Sequence, residues 1–486
     1  MMKNLLLPLF ALLFTTGLCG QTLVSATFLA TQSKAEVTDA YNLSNTPVSN
    51  GIHLFKITYT TLDIKGQPDT ASGLVVLPDV VGTFPLTCYL HGTVNGPEDV
   101  PSRLDEDLEP RGDALPAPLG AFGYVVAAPD YLGLGDSRGF HPYVHAATEA
   151  SAAVDLLFAT REFLQTQSVS LNDQLFITGY SQGGHAAMAL HRSIQQEYAD
   201  EFTVTAAAPM SGPYSISGAM KDVIVSDEPY FFTGYLPYTI LSYNEAYDLF
   251  DDLGEYFKEP YATAIRQFAS GDLDLQTLNG TLSSQLSAQA GGVFPKRMLQ
   301  DSILAIAEAN DQSHPLLMAL ADNDVYDWQP MAPTRLFYCT ADDQVTFRNS
   351  IIADSVMQAN NAPDVGAIDV NPFADHGACI DPAAFSTVSF FADFQDVDIR
   401  TGTRDLELVD DLLRISPNPA WDRVDLVWYG SEGHLEVYNN QGQRLHREVL
   451  AAEQSGSYDV SSLPAGMYLI YATDGERQTW QKVVKR

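Results

Sequence analysis

The chain has 486 residues, of which 45% are hydrophobic, and its formal net charge at pH 7 is −35, from 61 acidic and 26 basic residues. This length and hydrophobic content are sufficient for a large α/β domain with a smaller second domain, and they exclude a largely disordered chain. The strongly negative surface repels phosphate backbones and anionic lipid headgroups, so nucleic acid is excluded as a partner.

The first 20 residues have the pattern of a secretory signal peptide. Lys3 precedes an apolar run from Leu5 to Phe14 that is too short to span a bilayer, and small or polar residues follow it. Cys19 raises the alternative of a lipoprotein, but bulky Leu18 stands where such a signal needs a small residue. We therefore expect removal of residues 1–20 on export, followed by a lead-in of little regular structure over residues 21–51.

Strands and helices alternate from residue 52 onward. A hairpin is predicted first, with strands at 52–59 and 71–77. Strands at 85–90 and 124–128 follow it, and then a helix at 145–165, a strand at 174–178, a helix at 184–198 and a strand at 203–208. Such alternation predicts a mainly parallel sheet with helices on its faces. In such a sheet, functional side chains gather where the strands end.

The stretch LFITGYSQGG, residues 175–184, contains a G-x-S-x-G motif between a predicted strand and a predicted helix. This context is typical of a strained turn that exposes a serine hydroxyl, and it makes Ser181 a candidate nucleophile. The backbone N–H of Gln182, at the start of the helix, is a candidate oxyanion donor. The motif alone is weak, because a glycine-rich turn that opens an ordinary helix gives the same letters. His185 and His191, further along that helix, are interpreted as ordinary helix residues.

The second oxyanion donor is expected on the loop after the third predicted strand. His91-Gly92-Thr93 occupies that loop, and the backbone N–H of Thr93 is the candidate. The alternative is a turn in which the imidazole of His91 only braces the loop.

An insert of about residues 212–327 interrupts the alternation after the sixth predicted strand. It is rich in aromatic residues and contains amphipathic helical patterns, so we expect a mostly helical cap over the site. The candidate substrate-binding residues are His91, Tyr180, Phe231 and Phe232. The alternative for the aromatic residues is that they form the core of the insert itself.

The general base is identified by elimination. The strand at 335–339 ends near Asp342 and Asp343, a helix at 350–359 and a strand at 366–370 follow, and His376 comes next. In this fold class the catalytic residues follow the order Ser, Asp, His, and the other later histidines, His434 and His446, lie in a separate tail. His376 is therefore the predicted base, with Asp342 as its partner because of the D-x-x-V spacing and Asp343 as the alternative.

The cysteines and the remaining acidic residues suggest little further chemistry. Cys339 and Cys379 each lie three residues from a candidate catalytic group, so a disulfide between them is one possibility, whereas Cys88 lies in an apolar strand and is expected in the core. Three aspartates spaced like a calcium loop lack its glycine turn and distal glutamate, at Asp322, Asp324 and Asp327. We predict no metal and no cofactor.

Four segments together resemble the secretory lipase family of α/β-hydrolases, which includes the fungal lipase A enzymes. They are Tyr89-Leu-His-Gly-Thr93, Pro129-Asp-Tyr-Leu-Gly-Leu-Gly135, Gly179-Tyr-Ser-Gln-Gly-Gly184 and Trp328-Gln-Pro330. The resemblance covers about residues 52–395 and implies an α/β-hydrolase that cleaves esters, with a helical cap over an acyl pocket.

The tail differs in composition from the rest of the chain. Residues 396–414 are charged and are predicted to form a linker, and residues 415–486 contain short alternating strands typical of a small β-sandwich. Ser-Pro-Asn-Pro at 416–419, Leu-Pro-Ala-Gly-Met-Tyr at 463–468 and the basic end resemble the C-terminal sorting domain of type IX secretion. This resemblance implies export by the type IX machinery and removal of the tail; the alternative is a carbohydrate-binding or spacer module.

We therefore predict a secreted serine ester hydrolase, a lipase or carboxylesterase, that acts as a monomer on small-molecule or lipid esters. Two alternatives stay open at this point: a serine peptidase of tripeptidyl or prolyl type on the same fold, and a non-catalytic binding module on the cell surface.

Overall fold

The structure, a computed structural model, describes residues 22–43, 46, 48–105, 107–112, 115–399, 407–408, 412–439, 443–475 and 477–486. The chain divides into two compact units, the first ending at Ile399 and the second beginning at residue 400. The predicted signal peptide and most of the predicted linker lie outside the described residues. Within the described part of the chain, no helix combines the length and hydropathy needed to cross a membrane.

A mixed sheet organises the first unit. Its strands, in chain order, are β1 (Leu23–Gln32), β2 (Ile52–Leu62), β3 (Pro68–Pro78), β4 (Gly82–Leu90), β5 (Val125–Pro129), β6 (Val169–Tyr180), β7 (Val204–Met210), β8 (Thr334–Tyr338), β9 (Val365–Asp369) and β10 (Asp398–Ile399). The spatial order is β1-β2-β3-β5-β4-β6-β7-β8-β9, and β10 pairs with β4. From β5 to β9 all neighbours are parallel, so the carboxyl ends of β4, β6, β8 and β9 meet at one edge.

Helices cover both faces of this sheet. The helices of the first unit are α1 (Lys34–Ala40), α2 (Pro116–Ala121), α3 (Ala146–Leu164), α4 (Gln182–Glu197), α5 (Lys221–Val225), α6 (Tyr235–Tyr247), α7 (Tyr261–Ala269), α8 (Leu275–Ala290), α9 (Asp301–Ala309), α10 (Pro315–Asp322), α11 (Arg348–Ala359) and α12 (Ile380–Ala392). On β6, Leu175 and Ile177 pack in one core with α3 and α4, whereas Phe176 packs in the other with α2 and α12. Burial on both faces explains the uninterrupted apolar run of this strand.

The expectation of an unstructured lead-in over residues 21–51 is wrong. Strand β1 pairs antiparallel with β2, with Ala26 opposite Ile57, and α1 begins with a capping box in which Ser33 and Glu36 satisfy each other's backbone N–H groups. The residues from Val24 to Phe28 are exposed on both faces of the strand, so the alternation that would predict a strand is missing. Because β1 adds one strand before those that were predicted, the cap follows the seventh strand in chain order, not the sixth.

The cap, α5 to α10, has a hydrophobic core of its own. Tyr238, Tyr243 and Phe257 are buried in it together with leucines of α8. The aromatic residues of the insert were considered as either substrate wall or cap core, and the structure places Tyr238 and Tyr243 in the core. The cap is inserted between β7 and β8, which are neighbours in the sheet.

The second unit is a small β-sandwich. Its strands are β11 (Glu407–Leu408), β12 (Leu413–Ser416), β13 (Arg423–Trp428), β14 (Gly433–Tyr438), β15 (Arg444–Leu450), β16 (Ser455–Asp459), β17 (Gly466–Thr473) and β18 (Arg477–Lys485). They form a five-stranded sheet, β11-β18-β17-β14-β15, and a three-stranded sheet, β12-β13-β16. Trp428 from the smaller sheet and Leu435, Ile470 and Val483 from the larger one share one core.

Candidate active site

Ser181 occupies the sharp turn between β6 and α4. Its backbone has φ 59° and ψ −121°, a left-handed conformation that is strained for a residue with a side chain. Its N–H donates to the carbonyl oxygen of Met210 at 3.0 Å, and its carbonyl accepts from the Gly184 N–H at 2.9 Å. These bonds hold the strained turn so that the hydroxyl lies at the carboxyl edge of the sheet and at the start of α4.

The glycines of the motif are required by close packing of the backbone. A Cβ on Gly183 would overlap the carbonyl oxygen of Leu90 at the end of β4, and a Cβ on Gly179 would overlap the same oxygen. Helix α4 therefore starts directly against the carbonyl end of β4, where no side chain fits. This packing fixes the helix start relative to the loop that follows β4.

The two adjacent aspartates after β8 have different partners. Asp342 Oδ2 lies 2.7 Å from His376 Nδ1, while its Oδ1 accepts from the N–H groups of Gln344 at 3.0 Å and Val345 at 2.8 Å. Asp343 accepts only from the backbone N–H of His376, at 3.2 Å. The geometry therefore pairs Asp342 with the imidazole. Because a carboxylate accepts, Nδ1 carries the hydrogen and Nε2 is left with its lone pair.

Tyr180 links the histidine loop to the serine turn. Its hydroxyl donates to the carbonyl oxygen of His376 at 2.6 Å, and the two rings lie 4.9 Å apart. Burial, reinforced by the charge of Asp342, raises the pKa of Tyr180, so the phenol keeps its proton and remains a donor. Since Ser181 is the next residue, this contact anchors the histidine loop beside the serine turn.

A disulfide connects the two loops that supply the acid and the base. Cys339 at the end of β8 and Cys379 just before α12 are bonded, which confirms the suggested pair, and Cys88 is a free, buried cysteine as expected. The bond joins residues three positions from Asp342 and from His376. It limits how far the two loops can separate.

A cavity opens beside Ser181 and extends under the cap. Ser181 and Gln182 form part of its wall, and nearly all of the remaining wall is apolar, with Tyr143, Tyr230 and Tyr235 among the lining residues. Burial raises the pKa of Tyr235 to about 12, so this phenol is uncharged at neutral pH. The cavity can therefore hold an apolar group next to the serine hydroxyl.

The loop at residues 91–93 lies against the serine turn. A Cβ on Gly92 would stand 3.2 Å from the carbonyl oxygen of Tyr180 and 3.8 Å from the Cβ of Ser181. The side chain of Thr93 is held by the hydroxyl of Tyr143, with 2.9 Å between the two oxygens. The backbone of this loop is thus close enough to the turn to face a group bound at Ser181.

Comparison with known families gives two matches. Residues 113–350 match the secretory lipase family, and residues 414–486 match the secretion system C-terminal sorting domain. The chain carries a secretory lipase domain. No curated protein matches the chain at a significant level.

Solved structures agree with the secretory lipase domain. The rice cell wall degrading esterase LipA from Xanthomonas oryzae is 28% identical, with 76% of this chain and 95% of that chain covered and a TM-score of 0.64. A Legionella pneumophila protein assigned as a hydrolase is 29% identical over 77% of this chain and 98% of that chain, with a TM-score of 0.68. Candida antarctica lipase A, 16% identical over 76% of this chain and 83% of that chain at a TM-score of 0.53, shares the fold.

These matches show an α/β-hydrolase that hydrolyses esters, in a secreted or cell-surface bacterial protein with a type IX sorting domain at its C-terminus. The predicted fold and enzyme class, lipase or esterase, are confirmed.

The four residues predicted to bind substrate do not line the cavity of the secretory lipase domain. Both ring nitrogens of His91 face backbone carbonyl oxygens, of Gly92 at 2.7 Å and of Asp130 at 3.2 Å, so this side chain braces its loop. Tyr180 is engaged with the histidine loop. Phe231 is 62% exposed, and Phe232 stacks on Tyr235 at 5.8 Å between ring centroids. The wall is formed instead by Tyr143, Tyr230 and Tyr235 and by aliphatic residues, most of them on the cap helices.

Sequence reasoning missed a buried polar cluster under the start of α4. Glu149 of α3 is fully buried and contacts the side chains of Gln182 at 3.0 Å and His185 at 2.7 Å. A signal was present, because Glu149 is the one acidic side chain in the otherwise small and apolar stretch 146–154. His191, nearly two turns further along α4, is also buried, but neither of its ring nitrogens has a hydrogen-bond partner.

The aspartates of the loose calcium-like pattern have protein partners. Asp322 accepts from Tyr247, and Asp324 accepts from Ser217. In the described residues, no group of three or more His, Cys, Asp or Glu side chains is arranged to hold a metal ion.

Proposed function

We propose that the secretory lipase domain hydrolyses carboxylic esters through Ser181, His376 and Asp342. Ser181 Oγ attacks the ester carbonyl carbon while His376 Nε2 accepts its proton, and the carbonyl electrons move onto the oxygen. The resulting oxyanion accepts hydrogen bonds from the backbone N–H groups of Thr93 and Gln182. The intermediate then collapses, and the leaving alcohol takes the proton from His376.

Water completes the cycle. It attacks the acyl-enzyme ester at Ser181, His376 again accepts the proton, and the acid product leaves as the Ser181 hydroxyl is restored. Asp342 keeps the hydrogen on Nδ1 throughout and stabilises the imidazolium that forms in each half of the reaction.

One observation carries this proposal. Asp342 contacts the ring of His376 at 2.7 Å. Tyr180, the neighbour of Ser181, holds the loop of His376 against the strained turn. An imidazole oriented by a buried carboxylate beside a serine in a strained turn is the arrangement that activates an alcohol as a nucleophile.

The cavity supports an ester with an apolar acyl group. Its wall beside Ser181 consists of aromatic and aliphatic side chains, with Lys221 the one charged residue among those that line it in the described structure. Each buried methylene contributes about 0.8 kcal/mol. We therefore propose lipid esters or medium-chain and longer acyl esters as the substrate class, and we propose that the type IX machinery removes the sorting domain from the mature enzyme.

Hydrolysis of p-nitrophenyl esters from acetate to palmitate tests this function. We expect kcat/KM to rise by up to about fourfold per added methylene until the cavity is filled, since 0.8 kcal/mol corresponds to that factor. Ser181→Ala should abolish the activity, whereas Ser386→Ala, which removes a hydroxyl bonded only to the carbonyl of Pro382 on α12, should retain it.

Equal rates for the wild type and Ser181→Ala would refute the proposed nucleophile. A steady fall in kcat/KM from acetate onward would refute the acyl site, and cleavage of peptide anilides without esters would favour the peptidase alternative.

A further inference from the structure

The side chain of Gln182 is buried, although its backbone N–H is the proposed oxyanion donor. Its amide nitrogen contacts two groups, the ring nitrogen Nε2 of His141 at 2.8 Å and Oε1 of Glu149 at 3.0 Å. A side-chain amide has two hydrogens, so both are used here. The residue that follows the nucleophile is thus fixed from two directions below the turn.

The partner on one side is an acceptor because of its surroundings. His141 Nδ1 lies 2.7 Å from the carbonyl oxygen of Leu132 and must donate to it. Burial lowers the pKa of His141 to about 4, so the ring is neutral at pH 7 and its Nε2 accepts from Gln182.

The partner on the other side is fixed by a further histidine. Glu149 Oε2 lies 2.7 Å from His185 Nδ1, and His185 Nε2 lies 2.9 Å from the carbonyl oxygen of Asn323. All of these side chains are buried. A buried carboxylate bound on both oxygens has one orientation, and it therefore gives Gln182 one orientation too.

We propose that Glu149 and His141 are positioning residues that hold Gln182, and through it the oxyanion-donating N–H, in place beside Ser181. This inference rests on the proposed function. It assigns to the buried cluster a part in transition-state stabilisation, because misplacement of an oxyanion donor weakens a bond that the substrate makes only in the transition state.

Two substitutions at Glu149 differ in whether the hydrogen bonds of the cluster can still form. In Glu149→Gln, the new oxygen can accept from Gln182 while the new NH₂ donates to Nδ1 of a neutral His185, so every bond of the cluster is retained. In Glu149→Leu, the amide hydrogen of Gln182 and Nδ1 of His185 both lose their partner. If the cluster acts by positioning, only the second substitution impairs catalysis.

The experiment measures kcat and KM for the best p-nitrophenyl ester, with active sites counted by stoichiometric phosphonate labelling of Ser181. We expect Glu149→Leu to lower kcat per labelled site 10- to 100-fold with KM within about twofold, and Glu149→Gln to stay within about threefold of wild type. The affinity for an alkyl trifluoromethyl ketone, whose adduct carries an oxyanion, should fall in parallel with kcat.

His191→Met is the matched control. His191 is buried on the same helix but has no hydrogen-bond partner, so its substitution disturbs the packing of α4 without touching the cluster. We expect its kcat per labelled site to equal that of the wild type. If Glu149→Leu does not fold, Gln182→Met, which removes the amide and keeps the backbone N–H, should show the same loss of kcat.

Three results would overturn the inference. They are an unchanged kcat in folded Glu149→Leu, or in Gln182→Met where Glu149→Leu does not fold; a loss of kcat in His191→Met equal to that in the cluster variant; and a loss in Glu149→Gln as large as in Glu149→Leu. Failure of the proposed function is distinguishable from these, since it would appear as activity retained by Ser181→Ala.

Discussion

The assignment of Asp342 rather than Asp343 predicts a sharp contrast between two asparagine variants. In Asp342→Asn, the oxygen that accepts from the N–H groups of Gln344 and Val345 is retained, and the new NH₂ faces His376 Nδ1. An amide donor at this point forces the hydrogen of the imidazole onto Nε2. A ring in that tautomer cannot accept the proton of Ser181.

Rotation of the amide does not rescue the variant. It would restore an oxygen toward His376, but the NH₂ would then face two backbone N–H groups that now donate at 3.0 and 2.8 Å. Loss of both bonds in this partly buried loop costs about 3 kcal/mol, so the rotated form amounts to about 1%. We therefore expect kcat to fall at least about 100-fold, approaching the factor of about 10⁴ known for the wrong tautomer in serine proteases.

Asp343→Asn supplies the control. Asp343 is exposed and accepts one bond from the backbone of His376, a bond that an amide oxygen can also accept. Its kcat should change no more than a few-fold. Steady-state kinetics on p-nitrophenyl esters, with circular dichroism to verify folding, measures both variants. An inactive Asp343→Asn together with an active Asp342→Asn would refute the assignment.

Two further predictions concern stability. Replacement of both Cys339 and Cys379 by alanine should lower the free energy of unfolding by about 4 kcal/mol, because the disulfide closes a loop of 40 residues and so restricts the unfolded chain. Urea denaturation measures this change. A reductant that destabilises the wild type should leave the double variant unaffected. Burial lowers the pKa of His191 from 6.5 to about 3, so on acidification the unfolded state binds the proton before the folded state does. The free energy of unfolding should therefore fall as the pH drops from 6.5 to 3, by up to about 1.4 kcal/mol per pH unit. In His191→Met this slope should be smaller over the same range, and identical slopes would contradict the prediction.

The parts of the site that depend on local geometry were predictable from the sequence. Gly179 and Gly183 indicate the turn in the sequence, because no residue with a side chain fits against Leu90. The order of Ser181, Asp342 and His376 along the chain follows from the order of the parallel strands. The spacing also favoured Asp342 over its neighbour, as its contact with the imidazole now does.

The parts that depend on tertiary packing were not predictable. Strand β1 is exposed on both faces for half its length and is specified by pairing with β2, which leaves no alternation to detect. The wall of the cavity depends on which face of each cap helix packs inward, and the aromatic content of the cap does not encode that choice. Glu149 is conspicuous as the one acidic residue in its stretch, but its partner Gln182 lies 33 positions away, so no local pattern identifies the contact.

The attachment of the cap has a consequence for how this enzyme could diversify. The segment leaves the sheet at the end of β7 and returns at the start of β8, two strands that lie side by side. Both junctions can stay fixed while the intervening chain is shortened, extended or exchanged, since neither strand needs a new neighbour. Substrate range is then encoded by a replaceable module, provided that the new segment restores the contact of the Asn323 carbonyl oxygen with His185 beneath the serine turn. Grafting the cap of one relative onto the sheet of another is accordingly a practical route to altered chain-length preference.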